Sequence, residues 1–244
     1  MQKKKINLEN NLHYIGIEEL IEIELGLKNY NLDLVKKMSK KLRITSKTKI
    51  LDFGAGSGSL AEIWRDNFKV LPICIEIDPN LTKILNAKGF KTYKDIRRVN
   101  ESFDYIYTSN VLEHIKDDIA VLKKLKELIR PAGLLAIYVP ALPFLYSDLD
   151  RKVGHFRRYR KRDLINKVEG CGFLVLECYY NDSIGILASL ALKIFGYKNK
   201  IGLGSVKSLK FYDAIIYPIS IFLDRTIFKK IIGKNILLIA QNKS

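Results

Sequence analysis

The sequence is poor in the residues that cross-link small secreted domains or bind structural metals. It has three cysteines in 244 residues, and none of them forms a C-x-x-C pair. This pattern excludes a disulfide framework, argues against a structural zinc site and suits a reducing compartment. There are also only three histidines and no recognisable spacing of metal ligands. We therefore expect a metal-independent protein.

Long hydrophobic runs are also absent. No uncharged apolar run reaches the length of about 20 residues that a membrane-spanning helix needs. The runs 183–192 and 214–223, in the last part of the chain, have ten residues each. The first five residues are basic, but polar residues between positions 7 and 11 interrupt any apolar core of a signal peptide. The sequence predicts a cytoplasmic protein, with peripheral association with the inner face of the membrane left open.

Acidic residues are scarce in the last part of the chain. The protein has 42 Lys and Arg against 26 Asp and Glu, a net charge of +16. Residues 151–244 hold 18 basic and 6 acidic side chains, whereas residues 1–150 are almost neutral. The basic part should prefer an anionic partner such as phosphates, a membrane surface or nucleic acid.

Short apolar runs alternate with amphipathic stretches over the first 180 residues, as expected of buried parallel strands joined by helices. The pattern predicts an α/β, Rossmann-like, seven-stranded and mostly parallel sheet with helices on both faces. We divide a single domain into a helical extension (1–45), a cofactor-binding core (46–182), a basic apolar lid insertion (183–234) and a last strand (235–244). The predicted strands are 49–53, 70–75, 90–93, 105–109, 134–139, 174–180 and 236–241, and the predicted helices of the core are 60–67, 80–88 and 117–129.

A strand that ends in an acid and runs into alternating glycines is the strongest chemical signal. It reads Asp52-Phe53-Gly54-Ala55-Gly56-Ser57-Gly58. Glycines let the backbone turn tightly and let a ligand approach the main chain. A nicotinamide site would need a glycine at Ser59, and a pyrophosphate would gain nothing from Asp52. A ligand with an ammonium group would gain from that carboxylate.

Two more acids follow the next two predicted strands. Glu76 is placed to accept both hydroxyls of a ribose, and Asp95 to meet an adenine amino group. Together with Asp52 they predict S-adenosylmethionine, which carries an adenosine and an amino-acid tail. The alternative is that each carboxylate only caps the helix after its strand.

The sequence here resembles the class I S-adenosylmethionine-dependent methyltransferases, over most of its length. A closer likeness is to a bacterial subgroup associated with cell-envelope sugar and glycosyltransferase pathways. Ala132 departs from the family, which usually has a second glycine there. The family motifs are Phe103-Asp104-Tyr105-Ile106, Ser109-Asn110-Val111-Leu112-Glu113-His114-Ile115 and Leu128-Ile129-Arg130-Pro131-Ala132-Gly133, and the subgroup marks are Tyr30-Asn31, Val139-Pro140-Ala141, Leu145-Tyr146, Asp150, Gly154-His155 and Arg157-Arg158-Tyr159.

The resemblance implies a cofactor site at the carboxyl ends of the first four strands and an acceptor loop at 140–159. For catalysis we select His114 and His155 as bases at neutral pH, with Asp150 as a base or an orienting group. The cofactor set is Tyr30, Asp52, Gly54, Ala55, Gly56, Gly58, Glu76, Ile77, Asp95, Ile96, Asn110 and Val111, and the acceptor set is Tyr146, Asp148, Arg157, Arg158 and Tyr159.

Each of these roles has a plainer alternative. His114 would only shape the cofactor pocket, and His155 would only anchor its loop. Arg157 and Arg158 would face solvent or pair with nearby acids instead of gripping an acidic group on the acceptor. Catalysis by proximity alone, without any base, also stays open.

The insertion combines apolar runs with nine Lys and Arg and two Asp. It predicts either an ordinary lid with solvated lysines or a lid that lies against anionic headgroups. The leading function is methyl transfer to a small or lipid-linked acceptor, and the expected target is a hydroxyl of a sugar or envelope glycan intermediate. Nucleic-acid methylation is the alternative, although residues 109–112 lack the proline and aromatic that hold a flipped base. A non-catalytic membrane-associated binding protein is a third hypothesis. The sequence does not indicate whether the protein is a monomer or an oligomer.

Overall fold

Seven strands form one mixed sheet in the computed structural model, which describes Glu24 and residues 26–195 and 206–243. The strand order is β3-β2-β1-β4-β5-β7-β6, and β7 runs antiparallel to both of its neighbours. The first five strands are parallel, so their carboxyl ends meet at one edge. The strands are β1 Ile50–Phe53, β2 Ile73–Ile75, β3 Thr92–Tyr93, β4 Phe103–Ser109, β5 Ile129–Pro140, β6 Phe173–Asn181 and β7 Asn235–Asn242.

Helices connect the strands and cover both faces of the sheet. Short 3-10 turns follow β3, β4 and β5, at the edge where the parallel strands end. A five-residue π-helix, Tyr212–Ile216, joins two helices of the insertion. The α-helices are α1 Lys28–Ser39, α2 Ser59–Phe68, α3 Pro79–Ala87, α4 Asp118–Leu128, α5 Asp148–Lys152, α6 Lys161–Gly170, α7 Gly185–Phe195, α8 Val206–Phe211, α9 Tyr217–Asp224 and α10 Phe228–Ile231.

Alternation along the strands divides the apolar residues between two cores. In β5, Leu135 and Ile137 pack with α4 and α6 on one face, whereas Ala136 and Tyr138 pack with α1, α2 and α9 on the other. Successive side chains of a strand point to opposite faces, so a continuous apolar strand fills both cores. Trp64 of α2 is fully buried in the second core. The apolar strand runs in the sequence therefore fit the two-faced sheet.

The predicted fold class is confirmed, with adjusted boundaries. β2 and β3 are shorter than predicted, because hydrogen bonding starts only where neighbouring strands face each other. β5 starts earlier than predicted, at Ile129, with an irregular register beside Phe103. Ala132 has a φ of 61°, a left-handed conformation that favours glycine. This conformation explains why the family usually has glycine there.

The insertion packs on α1 and holds the start of that helix. Asp213 accepts hydrogen bonds from the backbone nitrogens of Asn29 and Tyr30 at 2.9 and 2.8 Å. These N–H groups belong to the first turn of α1, which lacks a side-chain cap of its own. Tyr217 of α9 also donates a hydrogen bond to Asp33 at 2.6 Å. The basic insertion is therefore joined to the N-terminal helix.

Some predicted features lie outside the described residues. They are the apolar helical face of the extension and two lysines of the insertion, namely Ile17, Leu20, Ile21, Ile23, Leu25, Lys198 and Lys200. Among the helices that the structure does describe, none has the length and apolar content needed to cross a membrane. The predicted cytoplasmic location remains a prediction.

Replacing Asp213 with alanine should destabilise the protein by about 1–2 kcal/mol, because two backbone N–H groups of α1 lose their shared acceptor. The free energy of unfolding in urea measures this loss. Asp66→Ala is the matched control, since Asp66 is an exposed aspartate on α2. Equal stability of the two variants would contradict the capping role of Asp213.

Candidate active site

The glycine loop between β1 and α2 takes left-handed backbone conformations at three positions. Gly54, Gly56 and Gly58 have φ values of 81°, 57° and 91°. A Cβ on Gly54 would lie 2.3 Å from Cγ2 of Val111, which follows β4. The loop therefore needs glycine at position 54 for two reasons, its backbone conformation and its close packing against the neighbouring loop.

Two buried carboxylates flank this loop. Glu76, after β2, accepts hydrogen bonds from the backbone nitrogens of Gly56 at 2.8 Å and Asp78 at 2.9 Å. Asp52, in β1, accepts a hydrogen bond from Tyr107 Oη at 2.7 Å. Burial raises the pKa of Asp52 to about 7 and also raises the pKa of Glu76. Both groups would be stabilised in their charged form by a cationic or hydroxyl-bearing ligand.

A cavity of about 620 Å³ opens beside the loop, at the carboxyl ends of the parallel strands. Its size suits a cofactor together with part of a second substrate. The insertion closes one side, with residues of α7, α8 and the π-helix in the lining. The predicted site residues that line it are Tyr30, Asp52, Gly54, Ala55, Gly56, Asn110, His114, Asp150, His155 and Arg158.

The lining does not include the other predicted cofactor residues, which are Gly58, Glu76, Ile77, Asp95, Ile96 and Val111. Gly58 begins α2, and a Cβ there would lie 2.7 Å from Leu85. Ile96 is buried in the core, and Ile77 is exposed. Asp95 caps the 3-10 turn after β3, and an ion pair with Arg97 lowers its pKa. The capping alternative therefore describes Asp95 in this structure, and its adenine contact stays a prediction.

The predicted catalytic residues meet in the lining of the same cavity, in a part that we call the acceptor end. His155 Nδ1 lies 2.8 Å from Oδ1 of Asp150, and Arg158 Nε lies 2.9 Å from the same oxygen. Asp150 also accepts hydrogen bonds from the backbone and hydroxyl of Ser147. Burial acts to raise the pKa of Asp150, but hydrogen bonds from His155 and Arg158 outweigh it and hold the pKa at about 2. Asp150 is therefore ionised and fixes the orientation of His155.

The His114 ring meets the His155 ring edge to face, with 4.5 Å between centroids. Burial, with a smaller effect of His155, lowers the pKa of His114 to about 4. The neighbouring Glu113 is fully buried, and burial raises its pKa to about 8. Among the described residues, none forms a hydrogen bond with either oxygen of Glu113 or with the Nδ1 of His114. This part of the cavity lining thus contains polar atoms that no described residue satisfies.

The remaining predicted acceptor residues have mainly structural contacts. Tyr146 donates a hydrogen bond to the backbone oxygen of His155 at 2.6 Å, and Asp148 pairs with Arg151 at the surface. Arg157 and Tyr159 both contact the buried Asp118, at 3.0 and 2.9 Å. Of the five residues in the predicted acceptor set, Arg158 lines the cavity. Contacts of the others with an acceptor remain predictions.

Comparison with known proteins agrees with this arrangement. Residues 24–177 match the methyltransferase domain family, which is more than half of the chain. The chain belongs to the methyltransferase domain family. It is a class I S-adenosylmethionine-dependent methyltransferase, as the sequence predicts, and S-adenosylmethionine is its cofactor. The residues present fit that cofactor, because glycine backbone borders a cavity that also exposes the buried Asp52.

Solved structures share the fold of this methyltransferase at low sequence identity. An S-adenosylmethionine-dependent methyltransferase from Archaeoglobus fulgidus has a TM-score of 0.57 and 16% identity, over 87% of this chain and 94% of that one. One from Thermotoga maritima has 0.58 and 16%, over 93% and 94%. The phosphoethanolamine N-methyltransferase 2 of Haemonchus contortus, in complex with S-adenosylmethionine, has 0.59 and 15%, over 88% and 53%. No protein of curated function matches the sequence.

Three residues of the methyltransferase site were not selected from the sequence. Glu113 belongs to the family motif at 109–115. Its neighbours in the sequence do not indicate that both its oxygens are buried without partners among the described residues. Glu24 lines the cavity and hydrogen-bonds to Ser57, 33 positions away in the chain. Tyr107 contacts Asp52 across adjacent strands. The alternation of side chains in β4 predicts that Tyr107 lies on the same face as Tyr105. It does not predict that Tyr107 contacts Asp52.

Gly54→Ala should weaken binding of S-adenosylhomocysteine, the reaction product, by about tenfold or more, because the new methyl group displaces Val111 and reshapes the loop. Gly89→Ala is the matched control. Gly89 has a similar φ of 86° but no atom within 4 Å of an added Cβ. Both variants carry backbone strain of about 1 kcal/mol, so calorimetric titration should separate them. Equal loss of affinity would contradict the packing argument.

Proposed function

We propose that this methyltransferase transfers the methyl group of S-adenosylmethionine to a hydroxyl of a lipid-linked sugar or envelope glycan intermediate. The observation that carries the proposal is the exposed apolar surface of the lid. In the described part of the chain, seventeen large hydrophobic residues are exposed. Ten of them belong to the insertion, and two more, Phe144 and Phe156, belong to the acceptor loop. Soluble proteins rarely expose so much apolar surface in one region unless it meets a lipid or a partner.

The cofactor end of the cavity suits the polar parts of S-adenosylmethionine. Asp52 would hold the ammonium group of the amino-acid tail, and Glu76 retains acceptor capacity for ribose hydroxyls besides its two backbone bonds. The bound cofactor supplies an activated methyl group. The protein then has to align the acceptor oxygen and receive its proton.

The acceptor end suits a hydroxyl group. Glu113, His114 and His155 line the cavity, and the oxygens of Glu113 and the Nδ1 of His114 have no hydrogen-bond partner among the described residues, so an incoming O–H can donate to one of them. Arg158 adds a positive charge next to these groups, which suits a phosphate or carboxylate on the acceptor. The predicted roles of His155 as base and Asp150 as its orienting partner agree with this geometry.

The lid surface suits a lipid bilayer with anionic headgroups. Leu187 of α7 and Phe222 of α9 each keep 67% of their surface exposed, and Phe211 keeps 59%. Exposed lysines, among them Lys193 and Lys210, accompany these residues. Amphipathic helices of this composition bind the interface by apolar burial and charge attraction. Lys193 also hydrogen-bonds to the backbone of Phe144, so the lid and the acceptor loop form one surface.

Binding of S-adenosylhomocysteine should weaken as the pH falls from 7.5 to 5.5. Asp52 has a pKa of about 7 in the free protein, so its carboxylate becomes protonated over this range. It then no longer attracts the ammonium group, which stays charged there. Glu24 and Glu76 act on the same carboxylate through their charges. Calorimetric titration across the pH series measures the change.

Two variants test whether Asp52 is the group that causes this pH dependence. Asp52→Asn should give a flatter profile, because the titrating carboxyl is gone. Tyr107→Phe removes a hydrogen bond that lowers the pKa of Asp52, so its midpoint should move to higher pH. A profile that Asp52→Asn leaves unchanged would show that another group governs binding.

Tritium-labelled S-adenosylmethionine tests the acceptor class. We expect label to enter a bacterial lipid-linked glycan extract in phosphatidylglycerol vesicles, and not total RNA or water-soluble nucleotide sugars. The double variant Leu187→Ser, Phe222→Ser should float with these vesicles about tenfold less than the wild type while keeping its affinity for S-adenosylhomocysteine. Leu71→Ser, at an exposed leucine outside the lid, is the control. Label in RNA alone would favour the nucleic-acid alternative.

A further inference from the structure

We propose that Glu113, His114 and His155 bind a divalent transition-metal cation at the acceptor end of the cavity. Each residue offers one ligand atom, and these atoms all lie within 4.8 Å of one another. The proposal departs from our expectation of a metal-independent protein. The three ligands come from two segments, the turn after β4 and the loop after α5, so the sequence shows only part of the set.

The distances suit closure around one ion. His155 Nε2 lies 3.9 Å from Oε1 of Glu113. Ligand atoms of a tetrahedral site with bonds of about 2.1 Å stand about 3.4 Å apart. Rotation of the His155 and Glu113 side chains would complete that geometry if it moved their ligand atoms by a few tenths of an ångström to about 1 Å. Both lie on short turns rather than in the middle of strands.

Most of the ligand atoms are unsatisfied in the part of the chain that the structure describes. Both oxygens of Glu113 and the Nδ1 of His114 are buried there without a hydrogen-bond partner. Buried polar atoms in native proteins are almost always satisfied, and an unpaired buried carboxylate is costly. A proton or a cation between these acceptors removes the cost. A cation satisfies all three residues at once, whereas one proton bridges only two.

The surroundings of His155 resemble those of a metal-bound histidine. Its Nδ1 is held at 2.8 Å by Asp150, so the remaining Nε2 points towards Glu113. Histidines that bind metals usually donate their other N–H to a carboxylate, which fixes the ring and its tautomer. Asp150 is thus a positioning residue that acts through His155. Its bonds from Ser147 and Arg158 hold it in place.

The charges and ligand types indicate the class of metal. Glu113 and Asp150 carry two negative charges when ionised, and Arg158 next to them supplies one positive charge. Two imidazoles and one carboxylate suit Zn²⁺, Mn²⁺ or Fe²⁺, whereas Mg²⁺ prefers oxygen ligands. Three protein ligands leave coordination positions open on the side of the cavity, which is lined by all three residues.

The role of the ion in catalysis rests on the proposed function, whereas the site itself does not. An acceptor hydroxyl bound to the cation would have a lowered pKa and lose its proton to water. The oxygen lone pair then forms the new bond to the methyl carbon. The bonding pair of the breaking S–CH₃ bond stays on sulfur, and S-adenosylhomocysteine leaves.

Direct metal titration tests the site on the full, tag-free protein after chelator treatment and dialysis. We expect one equivalent of Zn²⁺ or Mn²⁺ to bind at least about 100-fold more tightly than Mg²⁺. Glu113→Gln should weaken this binding more than about 100-fold. Glu127→Gln, which changes an exposed glutamate of α4, should leave it unchanged. Equal affinity of the wild type and Glu113→Gln would overturn the proposal.

Cobalt(II) gives a readout of the ligands themselves. Its visible absorption spectrum depends on the ligands and their geometry, so His155→Asn should change it. Asp150→Asn should lower affinity about 10–100-fold with the wild-type spectrum retained, as expected of a positioning residue. Thermal unfolding checks that each variant folds, and His155→Asn replaces Glu113→Gln if the latter does not. An unchanged spectrum in His155→Asn would overturn the assignment.

Titration with S-adenosylhomocysteine on the same samples separates the two proposals. If the protein binds the product but binds neither Zn²⁺ nor Mn²⁺, the metal site is overturned and the methyltransferase function still stands. Metal binding without product binding would support the site and count against the function proposed above.

Discussion

The burial of carboxylates without buried cations is the constraint on which this structure depends. Among the described residues, the charged side chains that are buried are all acidic, although the protein as a whole carries a charge of +16. Burial of a carboxylate is unfavourable unless hydrogen bonds or cations compensate it. The fold meets this requirement in different ways at different positions. The buried acids are Asp52, Glu76, Glu113, Asp118, Asp150, Asp182, Asp213 and Asp224.

Most of these acids hold the chain together. Asp118 accepts from Tyr159 and pairs with Arg157 and Lys167, which joins α4 to the acceptor loop and α6. Asp213 binds backbone N–H groups of α1. Asp52 and Glu113 differ, because both line the cavity and burial raises the pKa of both. Asp118 and Asp213 are thus satisfied within the protein, whereas Asp52 and Glu113 are available to ligands.

The sequence predicts the parts of this structure that depend on neighbours in the chain. Strand runs, the glycine spacing and the acids at strand ends are local patterns, and they gave the sheet and the cofactor end of the cavity. The contacts of Asp150 with His155 and Arg158 could also be predicted, because the three residues are close together in the sequence.

Contacts between distant segments could not be predicted. Asp213 and Asn29 are 184 positions apart, and only the folded lid brings them together. The burial of Glu113 depends on residues from other elements that cover it, so a motif with an acid before a histidine does not reveal it. Asp148 and Asp95 show the reverse case. Their spacing suggested ligand contacts, but it did not reveal that basic neighbours in the same turns, Arg151 and Arg97, pair with them.

The points where the insertion leaves and rejoins the sheet have a consequence for how such enzymes diversify. Asn181 at the end of β6 and Asn235 at the start of β7 are directly paired partners in adjacent strands. A segment whose two ends are already neighbours can change in length or be exchanged without altering the register of the sheet, since its closure cost varies only slowly with length. New acceptor preferences can therefore evolve by replacement of this one insertion, while the residues that bind the methyl donor are retained.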